Sequence, residues 1–272
     1  IENNHPYIKI WTKDDGSDYV YSSFNKRKYV SENTFREYLI VDLAKACQRL
    51  NCIGIVKGPT LNDSEDYDEY IQRAKNTIDI IKNELKNDEL RKYVGVVFSD
   101  GFINGSGGIY DNSLEAAYAG LFTSIPSNIS PTNKDVENVL YLKNVFKEKD
   151  LKDLSELGYT VIVKTVRNGI TPLKSISLVQ EESSFLSLNN TRIGNEAIKK
   201  INEVTNEYIG IGLINYKEED IKNDISKKLE DMIDENKIND FQIDFSRTKA
   251  SEVEIIIDVY VDDEVFSVYI TG

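Results

Sequence analysis

Ile53-Gly54-Ile55-Val56, a helix-spaced run from Tyr70 to Leu85, and Tyr93-Val94-Gly95-Val96-Val97-Phe98 form the stretch that decides the fold class. Both short runs are apolar at successive positions, as in strands covered on both faces. The first stops at Gly58-Pro59, a pair that breaks a strand. Between them, Tyr70, Ile71, Ala74, Ile78, Ile81 and Leu85 fall on one helical face. Strand, helix and strand in that order predict a parallel βαβ unit, so the body is α/β.

Working outward, residues 34–50 carry Phe35, Leu39, Leu43, Ala46, Cys47 and Leu50 at helical spacing. Before that helix, residues 7–11 and 19–21 bracket Asp14-Asp15-Gly16-Ser17 and predict a hairpin. Residues 62–68 read as an acidic loop. After the βαβ unit, Gly101, Gly105, Gly107 and Gly108 predict a flexible connection into a small-residue helix over 113–122. Residues 136–145 are ambiguous. A helix over 149–157 closed by Gly158 precedes a β-branched strand over 159–165.

Helices are expected over 193–208 and 218–236, the second with Ile221, Ile225, Leu229 and Ile233 at i, i+4 spacing. Three strands follow, over 241–245, 253–261 and 265–270. Val253, Ile255, Ile257, Val259 and Val261 alternate onto one face of the middle one. The last places Phe266, Val268 and Ile270 on one face and Val265, Ser267 and Tyr269 on the other. The expectation is an α/β body with a smaller α+β end, without internal repeat, low-complexity tract or Pro-rich linker.

Composition narrows the function classes. A chain of 272 residues with 40% hydrophobic content is long enough to bury a sizeable core. No run approaches the roughly 20 apolar residues of a membrane-spanning helix, so no membrane insertion is expected. The chain starts at Ile1-Glu2-Asn3-Asn4 without an initiator Met or a secretory leader, and reads as a trimmed chain. The net charge is −13, and the basic residues form no stripe that would neutralise successive phosphates, so nucleic acid is not an expected partner. Cys47 and Cys52, the only cysteines, are too few for a closed zinc site and read as reduced, partly buried thiols.

The residues of common catalytic sites do not assemble in the sequence. His5 is the single histidine, which leaves a Ser-His-Asp relay or a multi-histidine metal site without its parts. A dinucleotide fingerprint starting at Gly105 meets Tyr110 where its last glycine belongs, and no Gly-Lys-Ser/Thr is present. Ser106 is not in a nucleophile-elbow register. Asp63, Glu65, Asp66 and Asp68 lack the spacing of a calcium loop, and Asp262-Asp263-Glu264 reads as a turn between strands. No cofactor or metal is expected. Two other classes stay open: a carboxylate-dependent hydrolase with two acids at a concave site, and a monomeric surface-glycan binding module using Trp11 and some of the 16 tyrosines.

Several segments, in order, resemble one family. Ser113-Leu114-Glu115-Ala116-Ala117-Tyr118-Ala119-Gly120-Leu121 leads to Pro131-Thr132-Asn133-Lys134. Gly158-Tyr159-Thr160-Val161-Ile162 follows a helix, Thr191-Arg192-Ile193 opens a long one, and Tyr208-Ile209-Gly210 closes it before the final strands. The ordered set resembles contractile tail sheath proteins of bacteriophages and R-type bacteriocins over about the C-terminal two-thirds of the chain.

The resemblance implies a subtilisin-like, non-catalytic α/β body with a smaller α+β C-terminal domain. It divides the chain into an N-terminal hairpin region (1–33), a sheath body (34–200) and a C-terminal domain (201–272). It implies a structural subunit, not an enzyme, whose partners are other protomers in a helical stack of hexameric rings, a tail tube protein, a baseplate and a tail terminator. Such a subunit assembles in the bacterial cytoplasm and ends in a phage tail or a released bacteriocin particle. Val265, Phe266, Ser267, Val268, Tyr269 and Ile270 are then the candidate inter-subunit strand. The family's C-terminal domain lies toward the inner radius, which makes Lys227, Lys228, Glu230, Asp231 and Asp234 candidate tube contacts.

Overall fold

The computed structural model describes residues 8–12, 18–22, 32–60, 65–105, 108–166, 169–180, 183–208, 218–249, 252–261 and 264–271. A hairpin of β1 (Ile8–Thr12) and β2 (Asp18–Ser22) comes first, then α1 (Glu32–Leu50), β3 (Gly54–Lys57), α2 (Tyr67–Leu85), α3 (Asp88–Arg91) and β4 (Val94–Phe98). Next are β5 (Asp100–Gly105), β6 (Gly108–Ser113), α4 (Glu115–Ser124), β7 (Val139–Leu142), α5 (Glu148–Glu156), β8 (Tyr159–Thr165) and β9 (Gly169–Pro172). A 3-10 turn at Ser184–Leu186 leads into α6 (Leu188–Tyr208), α7 (Glu218–Asp234), β10 (Asp240–Lys249), β11 (Glu252–Val261) and β12 (Glu264–Thr271).

The expected βαβ unit is present: β3 pairs parallel with β4, from Gly54 opposite Val94 to Lys57 opposite Val97. β8 adds in parallel on the far side of β4, and β9 closes the sheet antiparallel, in the order β3-β4-β8-β9. Both faces are covered, as the unbroken apolar run of β4 requires. Val94, Val96 and Phe98 pack with residues of α1, α2 and α5, while Val97 packs with Leu114, Tyr118 and Phe122 around α4. Phe98 stands at the centre, its ring 5.1 Å from Tyr70 and 4.9 Å from Tyr159. Both buried phenols find acceptors, Tyr70 donating to the Pro59 carbonyl at 3.1 Å and Tyr159 to the Ala74 carbonyl at 2.9 Å. The α2 start is set by a capping box, with Asp66 accepting from the Glu69 N–H at 2.8 Å.

α6 belongs to two cores. Its first residue, Leu188, packs beneath the body sheet, whereas Ile193, Ala197, Ile201 and Val204 join Ile221, Ile225, Leu229 and Met232 of α7. Ile243 of β10 and Ile255, Ile257, Val259 and Val261 of β11 complete that second core. The alternation expected in β11 is therefore observed from Ile255 onward. One helix carries the body into the C-terminal sheet.

Several local expectations are corrected. The Gly-rich segment is not a flexible connection: β5 and β6 form an antiparallel ladder from Asp100 opposite Ser113 to Gly105 opposite Gly108. Gly108 supplies a φ of +130°, and Phe102, Ile103, Ile109 and Tyr110 are strand-forming residues that outweigh the glycines. Ser113 ends that ladder, so the small-residue helix starts at Glu115. Tyr67 and Asp68 belong to α2, not to the acidic loop. The ambiguous segment contains β7, which pairs with β5, where the Phe102 and Tyr141 rings stack at 4.3 Å. α6 begins at Leu188 instead of residue 193 because Asn189, Asn190 and Thr191 are polar yet buried, which hides its first turn from an apolar period. In α7, Met232 rather than Ile233 completes the buried stripe. Cys47 is buried but Cys52 is exposed. Of the expected turn at Asp262-Asp263-Glu264, Glu264 instead opens β12, paired with Val261, and Asp262 and Asp263, like the expected turn at Asp14–Ser17, lie outside the described residues.

Candidate assembly surfaces

The C-terminal sheet has the order β10-β11-β12, so among the described residues β10 and β12 are its edges. All six residues of the candidate inter-subunit strand lie in β12. The register sets Phe266 opposite Val259, Val268 opposite Ile257 and Ile270 opposite Ile255, each partner being buried. Val265, Ser267 and Tyr269 stand opposite Tyr260, Asp258 and Ile256. One edge of β12 is thus used along its length within the chain, and its outer edge carries no neighbouring strand among the described residues. A strand edge of this kind can accept a further strand through its backbone donors and acceptors.

α7 separates its two faces cleanly. Ile221, Ile225, Leu229 and Met232 face the core, while Lys227, Lys228, Glu230, Asp231 and Asp234 are all exposed. The five candidate contact charges therefore lie together on an accessible helix face, arranged with both signs.

A third cluster, missed from the sequence, joins α6 to the body. Arg192 donates to the Phe122 carbonyl at 2.7 Å and the Ile125 carbonyl at 2.6 Å, with its guanidinium 5.0 Å from the centre of the Phe122 ring. One helical turn on, Glu196 accepts from Ser127 Oγ at 2.5 Å and from Lys237 Nζ at 2.7 Å. Burial opposes ionisation of Glu196, but the bonds from Lys237 and Ser127 outweigh it and hold the carboxyl below its usual range. The i, i+4 spacing of Arg192 and Glu196 was the available signal. Beside this junction runs a shallow groove of about 640 Å³, walled by Leu50 and Asn51, by Pro126, and by Asn195 and Lys199 of α6.

Ligands of open α/β sheets bind outside the carboxyl ends of the strands. Here polar groups near those ends bond within the chain. The Gly58 N–H after β3 donates to the Val97 carbonyl at 2.7 Å, and Ser99, between β4 and β5, donates to the Ile162 carbonyl at 2.7 Å. Glu65 is engaged by Arg73 at 2.5 Å, and Asp68 by Lys147 at 3.3 Å. Among the described residues no group of three or more His, Cys, Asp or Glu side chains is placed to hold a metal. No helix among them is long and apolar enough to cross a membrane. His5, Asp63 and Ser106 lie outside the described residues.

No protein-family model and no curated protein matches the sequence. Solved structures do match. The sheath tail protein of Listeria innocua superposes with a TM-score of 0.56 at 13% identity, over 97% of this chain and 74% of that one. The chain has the fold of sheath tail proteins. The sheath tail protein of Desulfitobacterium hafniense aligns over 93% of this chain at 12% identity with a TM-score of 0.55. A chain in the 6-fold symmetrised baseplate of the anti-feeding prophage aligns over 89% at 9% identity with a TM-score of 0.59. This chain spans 62% of the baseplate chain's length and 63% of the Desulfitobacterium protein's. The sheath fold thus extends beyond the segments that carried the sequence resemblance, into the βαβ unit before residue 113.

Proposed function

We propose that this chain is a structural subunit of a contractile tail sheath, which polymerises around a tail tube and contracts to drive the tube through a target cell envelope. The observation that carries this reading is the likeness to sheath tail proteins over 93% and 97% of the chain. The body at 34–200 corresponds to the subtilisin-like, non-catalytic part, with the hairpin region (1–33) before it and the C-terminal domain (201–272) after it. α6 runs between the last two.

In this account protomers stack as hexameric rings. The outer edge of β12 takes a strand from, or gives its own pairing to, a neighbouring subunit. Each backbone hydrogen bond so made contributes only about 0.5 to 1.5 kcal/mol net. Repetition around a ring and along a tube multiplies the effect. The α7 charges face the tube, where exposed ion pairs of about 0 to 1 kcal/mol suit a contact that must release. The partners are the tube protein, a baseplate and a tail terminator. Assembly takes place in the bacterial cytoplasm, and the product is a phage tail or bacteriocin particle. Catalysis has no part in it.

Co-sedimentation tests the reading. The protein, produced with the flanking segments of its gene and mixed with preformed tail tubes, is expected to pellet with them at a fixed stoichiometry. A chain that stays in the supernatant with every tube protein encoded beside it would contradict the proposal.

A further inference from the structure

Helix α1 ends in a Schellman turn whose two contacting positions are both cysteine. The Cys52 N–H donates to the Cys47 carbonyl at 3.0 Å and the Asn51 N–H to the Gln48 carbonyl at 3.4 Å. Asn51 takes the left-handed φ of +49° that such a turn requires. These are the 6→1 and 5→2 bonds of the motif, which make Cys47 its C3 residue and Cys52 its C″ residue. Side chains at C3 and C″ meet across the turn, a contact commonly made by apolar groups. Here two thiols meet.

The surroundings agree with that placement. Cys47 is buried under the turn, with its Sγ 3.2 Å from where a Cβ on Gly54 would stand. Burial, and after it the charge and hydrogen bonding of Cys52, push the Cys47 thiol up to about 12. Cys52 is exposed. One thiol is open to reagents, and the other waits behind it.

We propose that Cys47 and Cys52 form a thiol–disulfide site, which reacts with low-molecular-weight disulfides and closes an intrachain bond across the end of α1. The Cys52 thiolate attacks one sulfur of the small disulfide, forming a mixed disulfide and expelling one small thiolate. Cys47, on losing its proton to solvent, attacks the Cys52 sulfur and expels the second. The protein dithiol loses two electrons and two protons, and the small disulfide becomes two thiols. The motif's short C3–C″ approach suits the Cα separation of about 4.4 to 6.8 Å that a disulfide spans. Leu50 and Asn51 lie between the two cysteines and wall the groove beside α6, so the bond stiffens one side of that groove.

The test uses the native chain and oxidised glutathione, followed by alkylation and tryptic digestion without reductant. Cleavage after Lys45, Arg49 and Lys57 separates residues 46–49 from 50–57, so the bond joins two peptides that otherwise part. The expected product is that linked pair, lighter than the sum by two hydrogens, abolished by dithiothreitol and absent from Cys47→Ser and Cys52→Ser. A stable glutathione adduct on Cys52 beside alkylated Cys47, a Cys52–Cys52 link between chains, or two alkylated cysteines would each overturn the proposal.

Discussion

Val268 of β12 stands opposite Ile257 of β11, a buried residue at the centre of the C-terminal core. In an antiparallel ladder, neighbouring residues alternate between pointing their N–H groups at the partner strand and away from it. Of Ser267 and Val268, one therefore serves the β11 ladder and the other the outer edge. Ser267→Pro and Val268→Pro are expected to split. One lowers the urea midpoint of the isolated chain, and the other leaves it nearly unchanged while blocking polymerisation. If both proline variants polymerised normally, β12 would not be the inter-subunit strand.

A Cβ on Gly101 would stand 2.7 Å from the Tyr141 carbonyl oxygen, where β7 crosses β5. Backbone in a paired strand cannot yield cheaply, so Gly101→Ala should destabilise the chain by about 1 to 3 kcal/mol. Gly120, exposed in α4, has nothing within 4 Å of such a Cβ. Gly120→Ala should stabilise by about 0.4 to 1 kcal/mol. Urea denaturation of both variants checks the contrast. A neutral Gly101→Ala would mean that the β5–β7 approach is not close.

Glu196 gives the α6 junction a pH dependence. Its carboxyl is held below the ordinary glutamate value of about 4.3 in the folded chain. Its contribution is therefore full above that value and is lost as pH falls through the lower folded one. Glu196→Gln removes charged bonds worth about 1.5 to 3 kcal/mol at pH 7. The variant should also show a shallower loss of urea midpoint between about pH 5 and pH 3 than the parent chain. Parallel acid profiles would exclude the ion pair as the cause.

The βαβ unit was legible because burial on both faces forces Val94-Gly95-Val96-Val97-Phe98 to be apolar throughout, and amphipathic α2 and α7 write their core faces at period 3.6. The β5–β6 hairpin was not, since its glycines mimic a loop and its pairing depends on β7, about 40 residues away. The first turn of α6 was hidden for another reason: Asn189, Asn190 and Thr191 are buried by the body around them, which no local period records. Of the candidate surfaces, β12 was visible as alternation. The Arg192–Glu196–Lys237 junction was not, because Lys237 lies 41 residues from Glu196 in sequence.

The α7 charges are tested by reversal. Lys227→Glu, Lys228→Glu, Glu230→Lys, Asp231→Lys and Asp234→Lys together should leave the fold intact, since all five are exposed. Pelleting of the reversed protein with tail tubes should weaken, and its dependence on salt should change. Unaltered binding and salt dependence would remove these residues from the tube contact.

Polymerisation is the centre of the account, and electron microscopy of the protein, produced with its gene's flanking segments together with the adjacent tube protein, tests it most directly. The account predicts hollow tubes built from stacked six-membered rings, with the C-terminal sheet inward and β12 paired across subunits. A preparation that shows only single particles of one chain, under conditions where the tube itself assembles, would contradict it.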